Sequence, residues 1–290
     1  MRIGILGNEG SWYVDQLCRA VTAHGHQPFF ITFPQLQAEV IGGVATVRAG
    51  ELDLSTLDVL IVRTMPPGSL EEVVVRMDVL ATLEQLGVRL VNPAKAMECA
   101  IDKYLTTQRL AAAGLRVPDT IVCECSDQAL NAFDRLGGDV VVKPLFGSEG
   151  RGLLRVSDPD IALRVFRTLE RIDAVLYLQR FLNGPPSDIR ILLLDGEPVA
   201  SMKRTPAAGD FRANAAQKGT SQPHQPDDQE MNAALQAAEI TGCPFAGIDL
   251  MYDADERLHV IEVNAVPGWR AIQKTCQVDV ADHFVRWLSR

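Results

Sequence analysis

Several things are missing from this 290-residue chain, and each narrows what it can be. No uninterrupted apolar run has the length a bilayer requires, so no membrane span or membrane partner is expected. Positive charge is in deficit, 28 Lys and Arg against 37 Asp and Glu for a net charge of -9. Such a chain is not built for broad contact with a phosphodiester backbone, and nucleic acid is not an expected partner. There is no C-x-x-C pair among six scattered cysteines. Cys123 and Cys125 share one strand face and cannot easily bridge, so reduced thiols in a cytoplasmic protein are expected. The five histidines are dispersed, and no Ser-His-Asp or Cys-His set is apparent. No repeat or low-complexity tract is present. The first residues, Met1 to Glu9, turn polar after a few apolar positions and read as a strand, not as a secretory signal.

What remains is ordinary globular composition, 47% hydrophobic and 22% charged, in a length suited to two or three modules. Residues 1–94 alternate strand and helix. Buried strands are expected at Ile3 to Leu6, Phe29 to Phe33 and Asp58 to Val62, with helices after Ser11 and over Leu70 to Leu86, and Leu90-Val91 following. This pattern implies a small parallel sheet. Gly4, Gly7 and Gly10 lack the spacing of a dinucleotide fingerprint. Arg63, at the carboxyl end of a buried strand, faces either a ligand crevice or the surface.

Residues 95–182 open with a helix, Ala94 to Ala113, that contains Lys103. The valine run Val140 to Val142 delivers Lys143, and the glycine-rich stretch Gly147-Ser-Glu-Gly-Arg-Gly152 follows. Glycines let backbone N–H groups approach phosphate, and Lys143 adds a point charge. Because Leu153 to Val156 reads as a returning strand, the loop is a hairpin tip and not a Walker loop, which opens a helix. Val175 to Leu182 is a further buried strand, ending at the hinge-like Asn183-Gly-Pro-Pro186.

Residues 183–290 form the last module. Strands Asp188 to Leu194 and Pro198 to Arg204 flank the turn Asp195-Gly196. Alternation puts Asp188 and Arg190 on one face, and Lys203 with Thr205 on one face. The loop Gly209 to Gly219 carries Arg212, Asn214 and Lys218. A helix follows over Asp228 to Thr241, and an amphipathic helix, Val278 to Leu288, caps the chain.

Between those helices, Ala246 to Gly268 reads as two apolar strands joined by a four-residue turn, Asp253 to Glu256. Glu262 and Asn264 are two apart and share a face. An even loop adds Asp249 to that face; an odd one places it on the other. The opposite face carries Leu250, His259, Ile261 and Val263. Glu and Asn are poor strand formers among valine and isoleucine, and two carboxylates with an amide suit Mg²⁺. Together with two lysines, a glycine loop and a cluster of Arg190, Lys203, Arg204 and Arg212, they are equipped to stabilise charge in phosphoryl transfer.

Asp102-Lys-Tyr104, Val142-Lys-Pro-Leu-Phe-Gly-Ser-Glu-Gly-Arg-Gly152, Asp188-Ile-Arg190, Met202-Lys-Arg204, Gly209-Asp-Phe-Arg-Ala-Asn214, Ala246-Gly-Ile-Asp-Leu250 and Glu262-Val-Asn-Ala-Val-Pro-Gly268 occur in that order. In them the chain resembles the ATP-grasp superfamily, and within it the RimK-like α-L-glutamate ligases. The resemblance is specific over about 100 to 270 and architectural before that. It implies an α/β (α+β) ATP-grasp fold, with an N-terminal parallel α/β domain (1–94) and two α+β lobes (95–182 and 183–290) clamping ATP.

By the same resemblance, Lys103 and Lys143 contact ATP phosphates under a lid that includes Gly147, Ser148, Gly150 and Gly152. Gln179, Arg180, Phe181 and Leu182 supply the adenine hinge, with Asp188 nearby. Asp249, Glu262 and Asn264 hold Mg²⁺, two ions sharing Glu262, with Mn²⁺ as a substitute. Arg190, Lys203, Arg204, Arg212 and Asn214 serve the acyl-phosphate site, Arg212 also touching nucleotide. The implied activity joins L-glutamate to a small-molecule carboxylate acceptor such as a pterin cofactor, in a homo-oligomer. Protein carboxylates, another amino acid as donor, or a nucleotide-binding regulator without catalysis are the alternatives. The chain departs from the family pattern at Arg180, Ala215 to Gly219 and Trp269-Arg-Ala271, positions that border the acceptor and amino-acid sites.

Overall fold

The computed structural model describes residues 1–146, 152–207, 209–210 and 219–290. The first part runs β1 (Arg2–Leu6), α1 (Trp12–Ala23), β2 (Gln27–Ile31), β3 (Leu36–Ile41), β4 (Val44–Ala49), β5 (Leu52–Asp53), β6 (Val59–Val62), α2 (Leu70–Gln85) and β7 (Arg89–Val91). The expected parallel sheet is present, in the order β2-β1-β6-β7. The connections leaving β1 and β6 diverge, so their carboxyl ends frame a topological switch point, where open α/β sheets take ligands or neighbouring chain. The antiparallel sheet β3-β4-β5 has no counterpart in the sequence reading. Its signal was Gly42-Gly43, both with positive φ, a glycine pair suited to a tight hairpin.

Next come α3 (Ala94–Ile101), α4 (Lys103–Ala112), β8 (Thr120–Cys123), α5 (Ser126–Arg135), β9 (Val140–Lys143), β10 (Leu154–Val156), α6 (Pro159–Glu170) and β11 (Leu176–Arg180). These strands form the antiparallel sheet β10-β9-β11-β8, packed through Val142 and Leu178 against Phe133 and Phe166 of α5 and α6. The single helix expected over Ala94 to Ala113 is two. Asp102 breaks it by accepting hydrogen bonds from the Tyr104 and Leu105 backbone N–H groups, which caps α4. Lys103 therefore opens a helix instead of lying inside one. The β9–β10 hairpin is as expected, with Leu154 opposite Val142.

The last part runs β12 (Asp188–Leu194), β13 (Glu197–Thr205), β14 (Thr220–Pro223), α7 (Asp228–Thr241), β15 (Phe245–Tyr252), β16 (Leu258–Asn264), α8 (Arg270–Cys276) and α9 (Val280–Leu288). Its sheet order is β14-β13-β12-β15-β16, antiparallel throughout. One face buries Ile189, Ile191, Ile248 and Leu250 against α7. The other buries Leu192, Met202 and Phe245 with Trp269, α9 and the first sheet. Each large side chain so buried contributes about 1.5–3 kcal/mol. Beyond that apolar patch the same face becomes charged.

Candidate active site

Directly paired residues of an antiparallel ladder point to the same face. Arg190 of β12 pairs with Asp249 of β15, Asp249 with Glu262 of β16, and Gly247 with Asn264. Asp188 pairs with Arg204 of β13. Six residues named from the sequence thus share one sheet face: Asp188, Arg190, Arg204, Asp249, Glu262 and Asn264. Lys203 does not join them. It pairs with Ile189, on the α7 side, because alternation along β13 turns it away from its neighbour Arg204.

The turn joining β15 and β16 differs from the expected one. Between Tyr252 and Leu258 it is odd in length, 253–257, which alone would put Asp249 on the wrong face. A β-bulge compensates: Asp249 pairs with Glu262, but Leu250 pairs with Val260, leaving Ile261 as the extra residue. The core face accordingly holds Leu250, Val260 and Val263, all buried. His259, expected there, pairs instead with Met251 and sets its Nε2 2.9 Å from the Asp253 carboxylate, a contact within the turn.

The charged groups are tightly paired. Arg190 donates from Nε and Nη2 to the two Asp249 oxygens at 2.7 and 2.5 Å. Arg204 donates to both Asp188 oxygens at 2.6 Å and lies 3.1 Å from Asp249 Oδ1. Burial by itself would raise the Asp249 carboxyl, but the two guanidinium groups outweigh it and hold the acid below its usual range. Asp188, expected near the hinge, grips Arg204.

Two lysines from the central lobe face these carboxylates. Lys143, at the end of β9, donates to Gln179 Oε1 at 2.6 Å. Gln179 donates in turn to Thr120 Oγ1 at 3.0 Å and Tyr177 OH at 3.3 Å, and Tyr177 OH lies 2.9 Å from Thr107 Oγ1 on α4. Lys103 donates to the Leu145 carbonyl at 3.3 Å. Burial pushes the Lys143 ammonium down to about 8; Glu262 and Asp249 oppose that shift, and Lys103 adds to it. Lys103 is lowered by burial and partly sustained by Glu262 and Asp102. Both lysines feel the Glu262 charge, so the two lobes meet across one cleft. Tyr177, Thr107 and Thr120 were not anticipated; each is an ordinary strand or helix residue whose hydroxyl matters only through tertiary contact.

Next to the cleft is a pocket of about 370 Å³, lined by Arg155, Phe181, Leu182, Gly184 and Met251 among others. The Arg155 guanidinium stacks 3.6 Å over the Phe181 ring. Arg180 turns outward to Asp119 at 3.0 Å. Gly184 is required here, because a Cβ would lie 2.1 Å from the Tyr252 carbonyl oxygen. Gly152 has φ +76, a conformation suited to glycine. Gly147, Ser148, Gly150, Arg212, Asn214 and Lys218 lie outside the described residues.

Among the described residues no three His, Cys, Asp or Glu side chains converge as a metal cluster. The candidate set is smaller in charge, two carboxylates and one amide. The Asn264 nitrogen donates to the Gly247 carbonyl at 3.2 Å, which leaves the amide oxygen as the atom it can offer a cation. Glu262 and the Asn264 amide oxygen are hard donors of the kind Mg²⁺ takes, whereas both Asp249 oxygens already accept from Arg190, so Asp249 would have to share its carboxylate between guanidinium and ion.

A family model described as a RimK-like ATP-grasp domain matches residues 100–288. The tetrahydromethanopterin:α-L-glutamate ligase of Methanosarcina acetivorans is 30% identical over 99% of this chain and 98% of its own. A ribosomal protein bS6–L-glutamate ligase of Escherichia coli is 32% identical over 73% of this chain and 71% of its own. Among solved structures, the ATP-grasp ligase PsnB complexed with minimal precursor, Mg and ADP superposes with a TM-score of 0.77 at 19% identity, covering 99% of this chain and 96% of the other. A RimK domain ATP-grasp protein from Sphaerobacter thermophilus also gives 0.77, at 20% identity and 99% coverage of both chains.

Proposed function

The chain belongs to the RimK-like ATP-grasp family and is an ADP-forming ligase that uses ATP and Mg²⁺; from that premise we propose that it adds L-glutamate to a carboxylate of a pterin-type cofactor. One observation supports this above others. The pterin-ligase relative matches this chain nearly end to end, N-terminal segment included, whereas the ribosomal-protein ligase matches 73% of it. A protein carboxylate as acceptor is the second reading, favoured by the 32% identity of that ligase within the matched part.

The chemistry addresses a simple obstacle. A carboxylate repels nucleophiles and has no leaving group. Transfer of the ATP γ-phosphoryl group to it makes an acyl phosphate, which an amine then attacks, releasing phosphate and forming the amide. Asp249, Glu262 and Asn264 would hold Mg²⁺, which when bound supplies positive charge against the phosphates; Mn²⁺ is expected to substitute. Lys143 and Lys103 hold the phosphates. Arg190 and Arg204, anchored by Asp249 and Asp188, present fixed positive charge beside the reacting carboxylate. Phe181 and Leu182 form the adenine pocket with Arg155. Gly147, Ser148 and Gly150 would close over the phosphates and keep water from the acyl phosphate, and Arg212 and Asn214 would complete the acyl site.

We further assign residues 1–94 to acceptor recognition, 95–182 to the nucleotide lobe and 183–290 to the metal lobe, in a cytoplasmic homo-oligomer. The test is ADP release from ATP and Mg²⁺ with L-glutamate and a panel of acceptors that includes tetrahydromethanopterin and a bS6-type peptide. Glutamate-dependent release with the pterin, and a product heavier by one glutamyl unit, is the expected result. Release with the peptide alone would move the assignment to the second reading, and ATP binding without any amine-dependent turnover would refute ligation.

A further inference from the structure

Two side chains at the carboxyl ends of neighbouring parallel strands reach across to the loop that follows β16. Asn92, just after β7, donates from Nδ2 to the Ala265 carbonyl at 2.5 Å and the Phe245 carbonyl at 2.7 Å, and accepts from the Phe245 N–H at 2.9 Å. Arg63, just after β6, donates from Nη2 to the Pro267 carbonyl at 2.8 Å. The gripped carbonyls lie one and three residues beyond Asn264.

Arg63 is costly where it stands. It is buried, and among the described residues its Nε and Nη1 have no hydrogen-bond partner. The guanidinium is enclosed by aromatic rings, with centroids at 4.2 Å for Trp269, 5.3 Å for Tyr13 and 5.9 Å for Phe245. Burial draws it down to about 9. Ring faces return part of the lost hydration, but one neutral hydrogen bond does not offset the rest, and an apolar side chain of similar volume would hold this core at lower cost. A role other than stability is called for. Trp269, fully buried, covers the Arg63 guanidinium.

We propose that Arg63 and Asn92 are positioning residues that clamp loop 265–268 to the N-terminal sheet and thereby aim Glu262 and Asn264 at the metal. The clamp rests on the metal assignment above. Through it the N-terminal segment belongs to the nucleotide–metal machinery as well as to acceptor recognition. A loop released at Pro267 still lets β16 pair with β15, and Asn264 keeps its bond to the Gly247 carbonyl, but the loop that continues from it loses one of its two anchors on the N-terminal sheet.

Arg63→Met in the full chain separates a positioning role from a structural one. ADP affinity is measured by calorimetry without Mg²⁺ and across a Mg²⁺ titration, beside thermal unfolding. The clamp predicts an unchanged or higher Tm, unchanged affinity for ADP alone, and an Mg²⁺-dependent gain in affinity reduced about tenfold, the usual scale for groups that orient metal ligands. Arg63→Lys, which keeps a donor but not the planar stack, should recover part of the gain. An undiminished Mg²⁺-dependent gain in Arg63→Met, or a loss matched by an equal loss of fold, overturns the clamp. Glu262→Ala serves as the separate control: it should abolish the gain, and if it does while Arg63→Met does not, the clamp alone is wrong. If Glu262→Ala keeps the gain, the metal assignment fails and the clamp with it.

Discussion

Asp249 and Glu262 face each other across the β15–β16 ladder, one residue before its register shifts. Were Ile261 paired in a regular ladder, it would stand opposite Asp249, and the two acids would part to opposite faces. The bulge is therefore what brings a C-terminal carboxylate pair under the lysines of the central lobe.

Glu262→Ala should abolish turnover and leave the fold intact. Glu262 is half-buried on an edge strand, with its carboxylate turned to the cleft. Loss of a group that organises charge in the transition state lowers kcat by at least about a hundredfold. Steady-state ADP release with circular dichroism checks both parts; activity near the parent level would refute the metal assignment.

Asp249→Asn should behave differently, because Asp249 is also a structural counter-ion. Removing its charge leaves Arg190 and Arg204 buried with less compensation, a loss of about 3–5 kcal/mol. The Asp249 acid is held below its unfolded value, so its stabilisation is full above that value and fades as pH falls through the folded one. Urea unfolding at neutral and acid pH should show the parent–variant gap narrowing in acid. A constant gap contradicts the pairing.

Nucleotide binding should take up protons above pH 8. Lys143 is drawn down to about 8 by burial, and phosphates favour its charged form, so binding restores a proton lost in the free protein. Calorimetry in buffers of different ionisation enthalpy measures the uptake. Lys143→Arg, charged throughout, should lose this uptake. Equal uptake in both would place the titrating group elsewhere.

Tyr177→Phe removes one hydroxyl that joins Thr107 of α4 to Gln179, the residue holding Lys143. A net hydrogen bond of about 0.5–1.5 kcal/mol corresponds to an affinity loss for ADP of about two- to tenfold. An unchanged dissociation constant would show that Lys143 needs no such bracing.

Local signals carried much of this molecule. The valine run ending at Lys143, the Asp195-Gly196 turn between β12 and β13, and Gly242 after α7 each announce an element by short-range chemistry, and those elements stand where expected. Glu262 and Asn264 betrayed themselves as polar residues in an apolar strand. Tertiary decisions were less legible. Asp102 broke a helix that apolar spacing would have continued, since its carboxylate found two backbone donors. The bulge at Ile261 altered a parity that turn length alone could not predict. Lys203 sat beside Arg204 in sequence but on the other side of the sheet. Arg63 read as a strand-end residue facing a crevice or the surface, Asn92 drew no notice, and the meaning of both depends on a loop more than 170 residues away.

The most direct test follows oxygen. With the acceptor carboxylate labelled with heavy oxygen, ATP, Mg²⁺ and L-glutamate, an acyl-phosphate route moves one labelled oxygen into the released phosphate for each amide formed. Mass spectrometry of that phosphate should show the label in step with ADP. Unlabelled phosphate, or label appearing in AMP, would contradict phosphoryl transfer to the carboxylate and the ligase chemistry built on it.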